Sequence, residues 1–168
     1  MNGNFPEENN MLLGSLSASA AGPLAGDIVN AACCNDLTVV FMIEAGADGT
    51  PANDNTTVSV KTNDDNAGTN ATAFAFDEYY ILTGDSTLAG AGGQWTRVSL
   101  DTAVTSYTTV VASAAKQIQI AIPIRGRKLP AGQTWISGHA SATAARKVAI
   151  WYIRHNNDNQ PLAGVTLH

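Results

Sequence analysis

Histidine side chains are the first candidates for catalysis or metal binding, and this chain has three, at His139, His155 and His168. None of them has another histidine four residues away, and no Cys-x-x-Cys motif or Glu-flanked histidine pair accompanies them. Local ligand pairs of this kind are the usual sequence signature of a zinc site. The spacing therefore predicts no metal centre.

The carboxylates Asp77 and Glu78 are adjacent in the sequence. On a regular strand, neighbouring residues point to opposite faces, so these two side chains are not expected to form a carboxylate pair. The Gly-rich segment 84–93 lacks the Lys-Ser/Thr of a phosphate loop, and a predicted strand follows it where a phosphate site needs a helix. We therefore predict that the protein is not an enzyme.

Two loops rich in Asp and Asn, residues 48–55 and 63–66, carry oxygen atoms of the kind that calcium prefers. Their spacing does not match an EF-hand loop, and Asn and Asp also serve turns. We predict no cofactor, and calcium in these loops stays open as the alternative.

Cys33 and Cys34 are adjacent, and neighbouring cysteines rarely satisfy the geometry of a disulfide. Two free thiols indicate folding in a reducing cytoplasm. The N-terminal region carries Glu7 and Glu8 where a signal peptide is basic. No apolar run reaches the roughly 18 residues of a membrane span. We therefore expect folding in the cytoplasm and no contact with a membrane.

The densest positive charge lies at Arg125, Arg127 and Lys128, and Arg146 and Lys147 form a second basic pair. Nucleic-acid binding usually combines a basic protein with aromatic residues among the cations, whereas this chain has a pI of about 4.9. We interpret these five residues as contacts to an acidic protein partner, and we predict no direct contact with nucleic acid.

Charge is divided unevenly along the chain. Residues 1–96 hold one Lys against twelve Asp and Glu, a net charge of −11, and residues 97–168 hold eight Lys and Arg against two Asp, a net charge of +6. Because a sandwich interleaves its two halves in space, such charges can pair within one fold or between copies. We expect that pairing in preference to a site for a polyanion.

The clearest strand lies at the start of the stretch 116–129. Its isoleucines recur with a period of two, at Ile118, Ile120, Ile122 and Ile124, so all four point to one face. Pro123 cannot donate a hydrogen bond to a sheet, which predicts a strand end or an edge at this point.

Other segments complete an all-β pattern. Residues 37–44 are apolar on both faces, which predicts a central strand, and residues 146–155 are apolar through their middle. About eight strands and no amphipathic helix of ordinary length predict an antiparallel two-sheet sandwich, jelly-roll-like, with extended N- and C-terminal arms.

A chain of 168 residues fits one domain. We predict an N-terminal arm or edge segment over residues 1–35, a β-sandwich over residues 36–155, and a C-terminal tail over residues 156–168. The small, loosely alternating residues 11–26 are compatible with a first edge strand, with an arm that lies across a neighbour, or with a mobile terminus.

The stretches LTVVFMIEAGADGTPANDNTTVSVKTNDD, AFAFDEYYILTG, GQWTRVSLDTAVTSYTT and KQIQIAIPIRGR resemble small virion structural proteins of tailed bacteriophages. The resemblance covers roughly residues 37–127 and lies in the pattern of strands and loops. It implies a β-sandwich protein of the phage head, of the kind that decorates or cements the capsid surface. The major capsid protein and further copies of the chain, as a homotrimer, are the implied partners.

From the resemblance and the arms together, we expect a decoration protein on the capsid surface of the virion. The residues assigned to assembly contacts are Phe5, Leu12, Leu13, Arg125, Arg127, Lys128, Arg146 and Lys147.

Two alternatives remain open at this stage. One is a jelly-roll major coat subunit that forms a viral shell by itself. The other is a carbohydrate-binding or host-adhesion module that uses Trp95 or Trp135 as a platform for sugars.

Overall fold

A computed structural model describes residues 9–16, 20–32, 36–43, 55–85, 94–109, 116–125 and 128–155. Within these ranges the chain has no helix with the length and apolar character of a membrane span. The structure contains these strands, in chain order: β1 (Asn9–Leu16), β2 (Ala20–Asn30), β3 (Asp36–Ile43), β4 (Thr56–Asn63), β5 (Thr72–Ala73), β6 (Phe76–Asp85), β7 (Thr96–Val104), β8 (Ser106–Thr108), β9 (Lys116–Arg125), β10 (Trp135–Arg146) and β11 (Val148–His155).

The strands form two antiparallel sheets that pack face to face. The six-stranded sheet has the order β1-β11-β3-β9-β6-β7, and the five-stranded sheet has the order β2-β10-β4-β5, with β8 also paired to β4. The inner faces of both sheets supply the buried core. This confirms the predicted all-β sandwich.

The strand order is that of a jelly roll. The strands nearest the two ends of the chain pair with each other, β1 with β11 and β2 with β10. Nested inside them, β3 pairs with β9, and β4 pairs with β5 and β8. The four pairs alternate between the two sheets, as they do when one long hairpin wraps around a core. The hairpin of β6 and β7 widens the six-stranded sheet beyond β9.

The isoleucine stripe of β9 lies in the core as its period predicts. Ile118, Ile120, Ile122 and Ile124 are all buried against the other sheet. The strand itself is internal, with β3 on one side and β6 on the other. Pro123 lies beyond the last β9 residue in register with β6, so it occupies the end of that pairing and not an edge strand.

The N-terminal segment 1–35 contains both edge strands on one side of the sandwich. β1 is the outer strand of the six-stranded sheet, and β2 is the outer strand of the five-stranded sheet. Val29, on β2, is buried in the core. Removal of residues 1–26 would therefore take one whole strand and part of a second from the sandwich itself. The tail 156–168 lies outside the described residues.

A bulge in the five-stranded sheet receives a side chain from the six-stranded sheet. The pairing of β10 with β2 shifts between Ser137, opposite Ile28, and His139, opposite Ala25. The buried Tyr152 hydroxyl reaches this point from β11, where it accepts a hydrogen bond from the Gly138 amide at 2.8 Å and donates one to the Asp27 carbonyl at 2.7 Å. It thus satisfies two backbone groups at a site where the ladder is disrupted.

Two glycines make room for this contact. A Cβ atom at Gly26 would lie 2.7 Å from the Tyr152 hydroxyl, and one at Gly138 would lie 2.8 Å from Ile150 and 3.0 Å from Val39. All three distances are shorter than van der Waals contact allows. The backbone of the five-stranded sheet therefore approaches the opposite sheet as closely as glycine permits.

We predict that Tyr152→Phe lowers the free energy of unfolding by about 1–3 kcal/mol, because two buried backbone groups lose their partner. Chemical denaturation measures this change. Tyr80→Phe is the matched control. Tyr80 lies partly exposed on the outer face of the same six-stranded sheet, so its loss of a hydroxyl group is expected to change stability little.

The same variant carries a pH signature. Burial raises the pKa of Tyr152 from its ordinary value near 10 to about 12. A pKa raised by folding means that stability is complete below pH 10 and falls as the pH rises towards 12. We expect the wild type to lose more stability than Tyr152→Phe across this window, and equal slopes would contradict the buried position of the phenol.

We also predict that Gly138→Ala destabilises the protein by roughly 1–3 kcal/mol, because the added methyl group overpacks the contact with Ile150 and Val39. Thermal unfolding is the measurement. Ser141→Ala, at an exposed position on the same strand, is the control. Equal melting temperatures for the two variants would show that the sheets can separate at no cost here.

Candidate functional site

Ion pairs gather around Glu78 at one end of the six-stranded sheet. Arg97 donates to the Glu78 carboxylate from Nε at 3.0 Å and also from Nη2, and Arg125 donates to the other oxygen at 3.0 Å. The Glu78 side chain is only 11% exposed, whereas the two arginines are about half exposed. A carboxylate held between two guanidinium groups is fully paired, and hydrogen bonding to it raises the pKa of Arg97.

A second pair completes the cluster. Lys128 donates from Nζ to both oxygens of Asp77, at 2.7 and 2.9 Å. That contact lowers the pKa of Asp77, whose side chain is half exposed. A shallow cleft of about 230 Å³ lies between Asp77, Glu78, Arg97, Arg125 and Lys128. These five groups carry three positive and two negative charges, so the cleft has a net charge of +1.

The alternation argument for Asp77 and Glu78 was wrong. The pairing of β6 with β7 shifts between Phe76 and Glu78, and both carboxylates line the same cleft. A bulge of this kind breaks the period of two, so adjacent residues no longer point to opposite faces. Each carboxylate is neutralised by cations, so the two do not form the closely spaced acid and base of a glycosidase.

The pairing expected from the uneven charge of the chain is present. Three salt bridges join Asp77 or Glu78, from the acidic first part, to Arg97, Arg125 or Lys128, from the basic second part. The folded chain thus offsets the positive charges of Arg125 and Lys128 within one copy. Arg125→Glu would add a third carboxylate to Asp77 and Glu78. Such a variant would therefore change the stability of the fold as well as any contact with a partner.

The other predicted contact residues are dispersed. Lys147 lies between β10 and β11, at the far end of the twelve-residue strand β10 from Lys128. Arg146 ends β10, and Leu12 and Leu13 lie in β1, opposite Tyr152 and Trp151 in register. Phe5 and Arg127 lie outside the described residues. The structure therefore brings together Arg125 and Lys128 and separates them from Arg146 and Lys147.

Arg154 lies away from the cations of the cleft. It is buried on β11, opposite Leu37 of β3, and its Nε has no hydrogen-bond partner among the described residues. A buried cation without a partner at this atom is costly, because desolvation is not offset by a hydrogen bond.

One serine–histidine contact has the atom types of nucleophilic catalysis. The Ser137 hydroxyl lies 2.9 Å from Nε2 of His139, and Asn63 donates to the same hydroxyl at 3.3 Å. Ser137 is buried, however, and the pKa of His139 is lowered by burial and by Lys61, a cation where a catalytic triad has a carboxylate. We interpret the contact as structural. No three His, Cys, Asp or Glu residues of the described chain are grouped as metal ligands.

The Asp-rich loop after β4 uses its oxygens within the turn. Asp65 accepts hydrogen bonds from the amides of Ala67 and Thr69, each at 3.0 Å, and Asp64 accepts one from the Asn70 side chain at 2.7 Å. The pKa of Asp65 is lowered, first by a hydrogen bond from the Thr69 side chain and then by the backbone amides of Thr69 and Ala67. These carboxylates therefore stabilise the turn of the loop. Residues 48–54 of the other proposed calcium loop lie outside the described residues.

The outer face of the six-stranded sheet is apolar over its central four strands. One register row runs Trp151, Val40, Ala121, Tyr80 across β11, β3, β9 and β6. The rows on either side complete this surface, which we name the apolar face; its residues are Trp151, Val40, Ala121, Tyr80, Ala149, Met42, Gln119, Leu82, Ile153, Thr38 and Pro123. None of them is charged. The outward residues of a solvated sheet are normally polar, so an outer face without charged residues is unusual.

The outer face of the five-stranded sheet is different in kind. The outward positions of β10 and β4 are mostly small and polar, with Ser137, Ser141, Thr57 and Ser59 among them. The sequence predicted β3 as a central strand with two apolar faces, and β3 does lie inside the six-stranded sheet. The sequence did not show that the neighbouring strands extend this character into one continuous surface.

Trp95 and Trp135 are the two candidates for a sugar platform. Trp95, just before β7, is 46% exposed, whereas Trp135 on β10 is only partly exposed. Trp95 directly precedes Thr96, the first residue of β7, which pairs with Ile81 of β6.

The comparisons with known proteins do not identify a family. No family model matches the chain, and no curated protein matches it. Among solved structures, the crystal structure of a Yersinia pseudotuberculosis-derived mitogen is similar over 88% of this chain and 92% of that chain, with 11% identity and a TM-score of 0.25. A similarity of this size carries no argument about function.

We predict that Glu78→Gln lowers the free energy of unfolding by about 1–3 kcal/mol, because two guanidinium groups lose a nearly buried carboxylate. Asp77→Asn is the matched control, with the same change of charge at a half-exposed side chain, and its effect is expected to be small. Urea denaturation at low and high salt measures both variants. Equal losses of stability would contradict the central position of Glu78.

Proposed function

We propose that this chain is a non-enzymatic structural protein of a bacteriophage virion, which binds the head lattice and stabilises it as a decoration protein. The observation that supports this most strongly is the apolar face. It is uncharged and lies on the outside of a sheet whose inner face already packs in the core; Val40 and Ala121 at its centre are buried, and the residues around them are partly exposed. Contiguous apolar surfaces of this kind mark contacts with other proteins.

The use of the polar groups also supports an assembly role. The carboxylates of the cleft pair with Arg97, Arg125 and Lys128, and the Ser137–His139 pair lies in a hydrogen-bond network of the sheet. These polar groups stabilise the fold. The apolar face, which contains none of them, is suited to contact with another protein.

The cleft is the proposed contact with the major capsid protein. Its net charge is +1, and Lys128 and Arg97 are exposed at the end of the sandwich. An acidic side chain of the capsid protein would complement that excess charge, and rim contacts of this kind mainly set the association rate and the salt dependence. The protein would fold in the host cytoplasm and reside on the capsid surface.

A second candidate is a jelly-roll coat subunit that builds the shell by itself. The strand order favours it, because paired strands alternate between two sheets in the manner of viral jelly rolls. The two candidates differ in one observable: a coat subunit forms closed particles without another protein, and a decoration protein requires an existing lattice.

We predict that purified protein binds phage heads that lack it and raises their resistance to heat and to low salt. Lys128→Gln should weaken binding about tenfold at low salt, because the cleft loses its excess positive charge. Lys61→Gln, on the outer face of the five-stranded sheet, makes the same charge change and should bind as the wild type.

Co-sedimentation with heads measures binding, and thermal release of DNA measures stability. Heads that neither bind the protein nor become more stable would contradict the decoration role. Closed particles formed by the protein alone, seen by electron microscopy, would identify the coat subunit.

A further inference from the structure

The apolar face is large enough to form the centre of a protein interface. Two register rows across four strands and a third row across three strands, at about 4.8 Å spacing, cover roughly 300 Å². Protein interfaces have an uncharged, apolar centre of this kind and a polar rim, and the complete contact covers about 800 Å² per partner. The centre here is the apolar face, and charged residues border it at one end.

The charged border has both signs on the same outer face. Asp36 of β3 lies opposite Arg125 of β9 in register, one row beyond Thr38 and Pro123. Arg125 makes its salt bridge with Glu78 and is still 43% exposed. Asp36 is partly exposed and forms no salt bridge with another residue of the described ranges. A carboxylate and an exposed guanidinium group thus lie on neighbouring strands without pairing to each other.

Consider a two-fold axis that runs parallel to the strands, above the outer face of the sheet and midway between β3 and β9. Such a rotation places β9 of a second copy over β3 of the first, so each Asp36 faces Arg125 of the other copy. Two such contacts form at once, because a two-fold interface is self-complementary. Sheets that pack face to face keep their strands within about 30° of each other, which this arrangement satisfies.

The same rotation brings two partly exposed aromatic side chains of the apolar faces together. Because β11 and β6 flank β3 and β9, it places Tyr80 of the second copy over Trp151 of the first. Aromatic side chains are enriched in the centres of protein interfaces. The shallow centre between these aromatic residues is formed by Val40 and Ala121, which are each 8% exposed.

We propose that the apolar face binds the apolar face of a second copy of this chain, as a two-fold dimer with reciprocal Asp36–Arg125 contacts at its rim. The biological meaning of this dimer rests on the proposed virion role, but its formation does not require a head. This dimer is an alternative to the homotrimer that the family resemblance implies.

Sedimentation equilibrium of the full chain tests the proposal. The wild type should have twice the monomer mass of 17.4 kDa, and it should keep that mass at about 1 M salt because the centre of the contact is apolar. Met42→Glu, on the apolar face, should raise the dissociation constant more than thirtyfold, as a charge in the centre of an interface does. Ser59→Glu, on the outer face of the five-stranded sheet, is the matched control and should dimerise as the wild type.

Circular dichroism establishes whether each variant folds, and Leu82→Lys on β6 replaces Met42→Glu if the latter does not. A monomeric or trimeric wild type at micromolar concentration would overturn the proposal. So would a folded apolar-face variant that dimerises as tightly as Ser59→Glu. These measurements need no heads, so failure of the dimer is distinguishable from failure of the head-binding role.

Discussion

The contact on which the sandwich most depends is the Tyr152 hydroxyl in the bulge between β2 and β10. It satisfies the Gly138 amide and the Asp27 carbonyl from the opposite sheet, so one side chain fixes both the separation of the sheets and their offset. Gly26 and Gly138 are small enough to allow that separation. The outward direction of every side chain in the apolar face follows from the same packing, because alternation begins from the buried residues.

Much of the fold could be predicted from period-two patterns where they are strong. The isoleucines of β9 and the apolar β3 predicted a buried stripe and a central strand, and both predictions are confirmed. β1 and β2 could not be distinguished from an arm, because their Ala, Ser and Gly residues give little contrast between faces. Their strand character comes from pairing with β11 and β10, which are more than one hundred residues away in the sequence.

The candidate site was less accessible to sequence reasoning. The uneven charge correctly predicted pairing between the two parts of the chain, yet the cluster around Glu78 depends on a register shift that no local pattern shows. The apolar face is likewise a property of four strands side by side. Each strand alone is a short apolar run, and only the order β11-β3-β9-β6 joins the runs into one surface.

The pairing of β1 with β11 has a consequence for synthesis on the ribosome. Asn9 lies opposite His155, so β1 cannot pair with β11 until the last described strand has been synthesised. Contacts of such long sequence separation slow folding, since a long loop must close before they form. During translation the inner edge of β1 and the apolar strand β3 lack β11, which lies between them in the finished sheet. A growing chain in this state presents unpaired edges, and a chaperone that shields them until release would raise the yield of folded protein.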